Sequence, residues 1–379
     1  MNRIAISIYP SYFAYESRIL KITETLTTEG IFNKVFIIAK GKDCLPVKEY
    51  LDQNREVIRI RNKIGPGKAR FILKILRRLE WHWYTIQFLR DKRIDCINCH
   101  SLEILGLCVF LKLIKRAKLV YDASELETEQ GKKGIRKFIL KLKEKIFIRF
   151  VNEVINVTDL IAAWYKKSYR LEKVWIVKNA TYSIACSQPK TRLLRDKFGI
   201  LDNEILFLYQ GGITVGRGIK LLLNVFSQLK ENKHIVFLGY GPLVETIDKY
   251  TRLFANIHYH PPVKPDELFS YTASADVGLC VLEKMVPSHF FTCPTKIFEY
   301  LNCGLPIIVS NCLPAKKIIQ DYNCGWEVAC EDEAVDSLII SITRDIIDAK
   351  RKNSLNAREY FGWEFEKPVL INVYRKLGF

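Results

Sequence analysis

The chain has 379 residues, 49% of them apolar and 26% charged, which excludes a disordered polymer and suits two domains, since one core rarely serves so long a chain. Its longest greasy run, Ile104 to Leu111, is far below the roughly 18 residues needed to cross a bilayer, and Met1-Asn2-Arg3 leads into an apolar run too short for a signal peptide. The formal net charge is +18, and the eleven cysteines read as reduced, buried thiols of a cytoplasmic protein.

In chain order, Ile4–Tyr9 predicts a strand, Glu16–Glu29 an amphipathic helix closed by Gly30, and Lys34–Ala39 another strand. From Arg59 to Arg78 every charge is positive. Cys96–Cys99 reads as a strand despite its CxxC spacing, Leu102–Lys115 as a helix and Lys118–Tyr121 as a strand. A second basic block follows, Lys132 to Arg149, with Glu144 its only acid. Within it Ile135, Phe138, Ile139, Leu142, Ile146 and Phe150 recur at helical spacing beside Lys132, Lys133, Arg136, Lys137 and Lys141. Such a helix suits an anionic membrane surface; it equally suits a core-facing helix with a solvated basic back. Glu153–Val157, Asp159–Tyr169 and Val174–Val177 continue the alternation, and Thr181–Arg195 breaks it as a linker.

A second series then starts: strands Ile205–Tyr209, Ile235–Leu238, Ile257–Tyr259, Val277–Val281 and Pro306–Val309, with helices at Gly218–Leu229, from Pro242, at Asp266–Ser274 and at Pro294–Cys303. Two βαβ series predict an α/β protein of two Rossmann-like domains with parallel sheets, facing each other across a cleft where ligands of such sheets bind. The expected division is 1–182, 183–355, and a last segment 356–379 returning to the first domain.

Three segments carry chemistry. After the strand Ile205–Tyr209, Gln210-Gly211-Gly212-Ile213-Thr214-Val215-Gly216-Arg217-Gly218 opens a helix. Glycines admit a ligand close to the backbone, the helix N-terminus favours an anion, and Arg217 offers a fork of donors to phosphate. Gly239-Tyr240-Gly241-Pro242 repeats the strand–glycine–helix logic. Cys293-Pro294-Thr295-Lys296-Ile297-Phe298-Glu299-Tyr300 puts Lys296 and Glu299 on one face of a helix that Thr292 is placed to cap. Each has a plainer reading, as a turn or a surface ion pair.

In this order the segments resemble the family-4, group 1 glycosyltransferases of the GT-B fold, across nearly the whole chain. Asp95–His100 and Val120-Tyr121-Asp122-Ala123-Ser124-Glu125 look like that family's acceptor-domain core; Ala275-Asp276-Val277 and Gly304-Leu305-Pro306 match its later segments, and Trp363 its terminal helix. The resemblance implies that Arg217 holds the donor diphosphate, that Lys296 and Thr295 assist at the helix start, and that Glu299 binds the ribose. It implies nucleotide contacts at Gly211, Gly212, Gly241 and Val263, a sugar-positioning role for His100, and acceptor-side roles for Asp122 and Glu125. The pattern departs at Phe291, where the family carries the first acid of its Glu-x7-Glu motif, at Gly212, where a basic residue is missing, and at Ser124.

The implied reaction is retaining transfer from a nucleotide-diphosphate sugar to a hydroxyl, without a metal or other cofactor. The basic first half adds an expectation of a lipid-linked glycan acceptor at the inner face of a membrane, as in surface polysaccharide assembly. The same fold leaves open a nucleotide-sugar epimerase or a non-catalytic subunit. A nucleic-acid-binding role has only the net charge in its favour, with no recognised module, and no nucleic-acid partner is expected.

Overall fold

The computed structural model describes residues 2–14, 16–65, 71–131, 133–183, 190–229, 232–283 and 286–379, all but the side chain of Phe71. The chain divides into two compact units: Met1–Val177 with Lys367–Phe379, and Lys178–Glu366.

The first unit carries strands β1 (Ile4–Ile8), β2 (Lys34–Lys40), β3 (Lys48–Tyr50), β4 (Arg55–Ile60), β5 (Cys96–Cys99), β6 (Lys118–Asp122), β7 (Glu153–Asn156) and β8 (Trp175–Ile176). Among the described residues they order as β3-β4-β2-β1-β5-β6-β7-β8, parallel except for β3, which runs antiparallel on the edge. β1, β2 and β5 have almost no exposed side chains, as a sheet covered on both faces requires. Cys96 and Cys99 are buried free thiols inside β5. The helices are α1 (Ser17–Thr28), α2 (Phe71–Leu89), α3 (Leu105–Lys115), α4 (Gly134–Phe147) and α5 (Asp159–Tyr169). Helix α2 stands at the end of the first basic block, where the charges alone announced no element.

The second unit opens with α6 (Leu193–Phe198), and continues with β9 (Ile205–Gly212), α7 (Ile219–Gln228), β10 (Lys233–Tyr240), α8 (Val244–Thr251), β11 (Ile257–His260), α9 (Leu268–Thr272) and β12 (Val277–Cys280). It ends with α10 (Pro287–Phe291), α11 (Thr295–Asn302), β13 (Ile307–Val309), α12 (Leu313–Tyr322), β14 (Gly325–Glu327), α13 (Asp332–Ser341) and α14 (Arg344–Arg358). Its strands order as β11-β10-β9-β12-β13-β14, all parallel. Helix α15 (Trp363–Lys376) begins in the second unit and ends in the first.

The linker expected over Thr181–Arg195 ends earlier, because Arg195 belongs to α6. Asp276, at 0% exposure, draws it in with Lys190 and Arg344 and also accepts from Leu206 N. Burial pushes the Asp276 carboxyl up, but Lys190 and Arg195 outweigh it and hold it below the ordinary range. The terminal segment likewise begins later than residue 356: α14 runs on to Arg358, and the returning helix starts at Trp363, whose N–H donates to Thr181 O.

Candidate active site

In the second unit the glycines lie inside a strand. β9 runs to Gly212, and its last two residues pair with Gly239 and Tyr240 of β10. A side chain at Gly239 would meet Gly211 O at 1.9 Å, so the two backbones approach as only glycine permits. Gly241 packs against the Ile213 carbonyl, Ile213 N–H donates to Tyr240 O, and Tyr209 Oη donates to Gly212 O at 2.7 Å. Gly211 and Gly212 are both exposed, presenting bare backbone at the carboxyl end of the sheet. The chain then turns through Gly216-Arg217-Gly218 into α7. Glu283 closes this turn: its N–H donates to Gly216 O, and its carboxylate accepts from Gly218 N–H at 3.3 Å.

Helix α11 lies beside this strand end. It starts at Thr295 with Pro294 as its N-cap, so Thr292 does not cap it: that residue terminates α10 instead. Ile297, Phe298, Tyr300 and Leu301 face the core and leave Lys296 and Glu299 on the other side. Lys296 lies along Gly211, its Nζ 3.7 Å from the Tyr209 ring centroid, and Glu299 Oε2 accepts from Gln210 Nε2 at 2.5 Å. Thus Lys296 and Glu299 both converge on the end of β9. Burial, reinforced by Arg217 and opposed by Cys280 and Glu299, pushes the Lys296 ammonium down to about 8. Among the described residues neither Arg217 nor Lys296 has a hydrogen bond or a carboxylate ion-pair partner. Two neighbouring cations with no ion-paired carboxylate among the described residues, beside exposed glycine backbone, are an arrangement that attracts anions. Thr295 is half-buried at the start of α11; Val263 is half-buried against the same core, and Phe291 ends α10.

Tyr300 sets the angle of α11. Its hydroxyl accepts from Gln210 N–H at 3.1 Å and donates to Leu208 O at 3.0 Å, bridging β9 beyond the point where β12 stops pairing with it. The ring lies on Gly278, where a Cβ would sit 2.4 Å away.

In the first unit β5 and β6 bring His100 and Asp122 together, with His100 Nδ1 3.0 Å from Asp122 Oδ2. Sequence reasoning missed the third member, Arg18 of α1, which grips Asp122 through Nε at 2.9 Å and Nη2 at 2.7 Å and donates from Nη1 to Val177 O. Burial would raise the Asp122 carboxyl, but Arg18 and then His100 hold it well below the usual carboxylate range. Glu125 is not part of this group: it is exposed and bonded to Gln130. It points away because the chain leaves the sheet after Asp122.

The basic helix is turned opposite to the core-facing alternative. Ile135 (74% exposed), Phe138 (64%), Ile139, Leu142, Ile146 and Phe150 face solvent. The buried side carries Glu144, which accepts from Tyr121, Tyr165 and Tyr169 Oη. Lys137 and Lys141, expected to face a membrane, are tied to Glu129 at 2.5 and 2.7 Å. Lys133 and Arg136 are exposed; Lys132 lies outside the described residues. Apolar side chains of α2 (Ile72, Leu76, Leu79) and α3 (Phe110, Leu113, Ile114) are exposed as well. No helix among the described residues is long and apolar enough to cross a membrane.

Residues 204–345 match the family described as group 1 glycosyl transferases. That stretch lies within the second unit and carries its strands from β9 to β14. Solved structures extend the likeness to the whole chain. Sucrose-phosphate synthase from Thermosynechococcus elongatus is 15% identical with a TM-score of 0.78, covering 99% of each chain. Anabaena HepE in complex with UDP-glucose is 14% identical at 0.74, covering 98% of this chain and 99% of its own. WaaG, a glycosyltransferase involved in lipopolysaccharide biosynthesis, is 17% identical at 0.69, covering 97% and 99%. At such identities the likeness is one of fold, and that fold is GT-B. A comparison with curated proteins returned no match. The glycine-walled end of β9, with Arg217, Lys296 and Glu299, lies within the matched stretch.

Proposed function

We propose that the protein is a retaining glycosyltransferase that moves a sugar from a nucleoside-diphosphate sugar to a hydroxyl of a lipid-linked glycan at an anionic membrane surface, in the assembly of a surface polysaccharide. The carrying observation is the pair Arg217 and Lys296, two neighbouring cations with no ion-paired carboxylate among the described residues, beside the exposed backbone of Gly211 and Gly212. A diphosphate supplies the charge they lack. Glu299, on the face of α11 that carries Lys296, is placed for ribose hydroxyls, and Gln210 already bonds to it.

In the reaction the bond between the sugar C1 and the β-phosphate oxygen breaks, the acceptor oxygen bonds to C1, and the acceptor hydroxyl's proton passes to the departing phosphate oxygen, which leaves as the nucleoside diphosphate. Negative charge grows on the departing phosphate, so fixed cations there stabilise the transition state more than the ground state. Arg217 and Lys296 do this without a divalent metal, and His100 positions the sugar. Two structures of Anabaena HepE in complex with UDP or UDP-glucose share this fold, which supports a nucleotide-sugar donor. The outward apolar stripe of α4 supports the membrane surface: contiguous exposed apolar side chains flanked by cations suit a headgroup layer.

The test is turnover with UDP-, GDP-, ADP- and dTDP-sugars and a lipid-linked acceptor in vesicles, with chelator present. One donor is expected to glycosylate the acceptor, and Arg217→Ala to lose roughly 10²–10³ in kcat. Undiminished turnover of Arg217→Ala, or an isomerised nucleotide sugar as the product, contradicts the proposal.

A further inference from the structure

A surplus of positive charge also gathers in the first unit, at the amino ends of β5 and β6 and so at the far end of those strands from His100 and Asp122. A cavity of about 310 Å³ opens there. Its charged walls are Lys92, Arg93, Lys115, Arg116 and Lys118, with one acidic side chain among the described residues, Asp95. None of the five cations belongs to the basic blocks Arg59–Arg78 and Lys132–Arg149. The ends of elements bring them together: Lys92 and Arg93 join α2 to β5, Lys115 and Arg116 close α3, and Lys118 opens β6. Ile94, Leu377 and Phe379, all of the same unit, add apolar surface.

Asp95 is already engaged. It accepts from Ile4 N–H at 2.8 Å and from Arg93 Nε and Nη2 at 3.1 and 3.0 Å, so its charge answers Arg93. Among the described residues no carboxylate pairs with Lys92, Lys115, Arg116 or Lys118. Lys115 Nζ donates to Lys92 O at 3.0 Å and to Arg90 O, which fixes its position and leaves its charge unanswered. Lys92 Nζ lies 4.7 Å from the Phe88 ring centroid. Part of this charge has a local reason, since Lys115 stands in the last turn of α3, where a cation answers the unpaired carbonyls. That reason does not reach Lys92 or Lys118, which lie outside the helix. The crowding extends to Lys112, whose ammonium is pushed down by burial and then by Lys118.

We propose that this cavity is a second anion site, separate from the donor site, in which Lys92, Lys115, Arg116 and Lys118 bind the phosphate group of a phosphate monoester. Like charges around one concavity repel each other and focus their field into it, so an anion that enters relieves the repulsion and gains from every wall. A phosphate monoester brings up to two charges and three acceptor oxygens, enough to meet several donors at once. The cavity is far larger than one phosphate and falls at the lower end of the roughly 300–1,000 Å³ of small-molecule sites, so the phosphate arrives on a body that meets Ile94, Leu377 and Phe379. Leu113 and Ile114, exposed on α3 next to Lys115 in sequence, give that chemistry two sources to separate, a lipid headgroup and a soluble phosphorylated metabolite. The site stands independently of the glycosyltransferase reading.

The experiment titrates glycerol 3-phosphate calorimetrically into the full chain carrying Arg217→Ala and Lys296→Ala, which silences the donor-side cations. Binding is expected, weakening as salt rises. Adding Arg116→Asn with Lys118→Gln should weaken it by about tenfold or more. Both side chains are exposed, and asparagine accepts the left-handed backbone of Arg116, so the pair removes charge without disturbing the turn; an unchanged melting temperature checks this. Lys166→Gln with Lys167→Gln, an equal loss of exposed charge in the last turn of α5, should leave binding as it was. No binding in the donor-silenced chain would overturn the proposal, as would equal weakening by the two pairs, which would mean net charge alone. Co-flotation with phosphatidylcholine vesicles containing phosphatidic acid names the source. Flotation lost with Arg116→Asn and Lys118→Gln assigns the site to a headgroup, and flotation kept while glycerol 3-phosphate binding is lost assigns it to a soluble phosphate. Both kept in that variant would leave the cavity without a ligand and refute the site.

Discussion

Lys296 carries its charge reluctantly. Its ammonium, pushed down to about 8 from an ordinary 10.5 by burial and Arg217, binds its proton less tightly in the fold than in the unfolded chain. Between those values the unfolded chain holds more protons, so this group makes the free protein more stable as pH rises through about 8. A bound diphosphate reverses the preference, because it needs the cation. Nucleotide affinity should therefore fall above a pH of about 8, approaching tenfold per unit, while Lys296→Arg, always protonated, should flatten the dependence. Calorimetric Kd values from about pH 7 to 9.5 check this; equal slopes for wild type and variant would show that Lys296 does not touch the ligand.

Helix α11 turns that residue chemistry into a site because Tyr300 holds it to β9. Tyr300→Phe removes the acceptor of the buried Gln210 N–H and the donor to Leu208 O, and should lower stability by about 1–3 kcal/mol. Gly278→Ala drives a methyl into the Tyr300 ring and should weaken nucleotide binding along with stability. Denaturant unfolding measures both, and a neutral Tyr300→Phe would remove this anchor from the account. The same element shows what could be read in advance. Local signals fixed its extent to within a residue at either end: the apolar spacing of Ile297, Phe298 and Leu301, and Gly304 just beyond it. The glycine-rich segment was legible as chemistry but not as backbone, since pairing between Gly211 and Gly239 extends both strands through what reads locally as a loop. Arg18 was invisible for a further reason: its partner Asp122 is 104 residues away, and only the sheet order β1-β5-β6 brings them near. The orientation of α4 was open as well. Its stripe has one periodicity whichever way it faces, and the tyrosines that claim Glu144 come from β6 and α5.

For the whole molecule, the proposed function assigns the donor to the second unit and the membrane surface to the first, in a chain of net charge +18. The second unit sets Arg217 and Lys296 near the end of β9; the first exposes an apolar helix face beside Lys133 and Arg136. That face should take the protein to anionic vesicles by apolar insertion and charge together. Phe138→Ser with Ile139→Ser should reduce co-flotation at all salt concentrations, whereas Arg136→Glu should reduce it mainly at low salt, where screening is weak. Equal flotation of these variants and wild type would place the membrane contact elsewhere. The central claim is narrower: Arg217, Lys296 and Glu299 hold a nucleoside diphosphate. Calorimetric titration of UDP, GDP, ADP and dTDP with chelator present tests it most directly. One nucleotide should bind, and Arg217→Ala and Lys296→Ala should each weaken it by about tenfold or more, the worth of a charge-assisted contact. Binding of none of the four, or equal binding by wild type and both variants, would contradict the assignment.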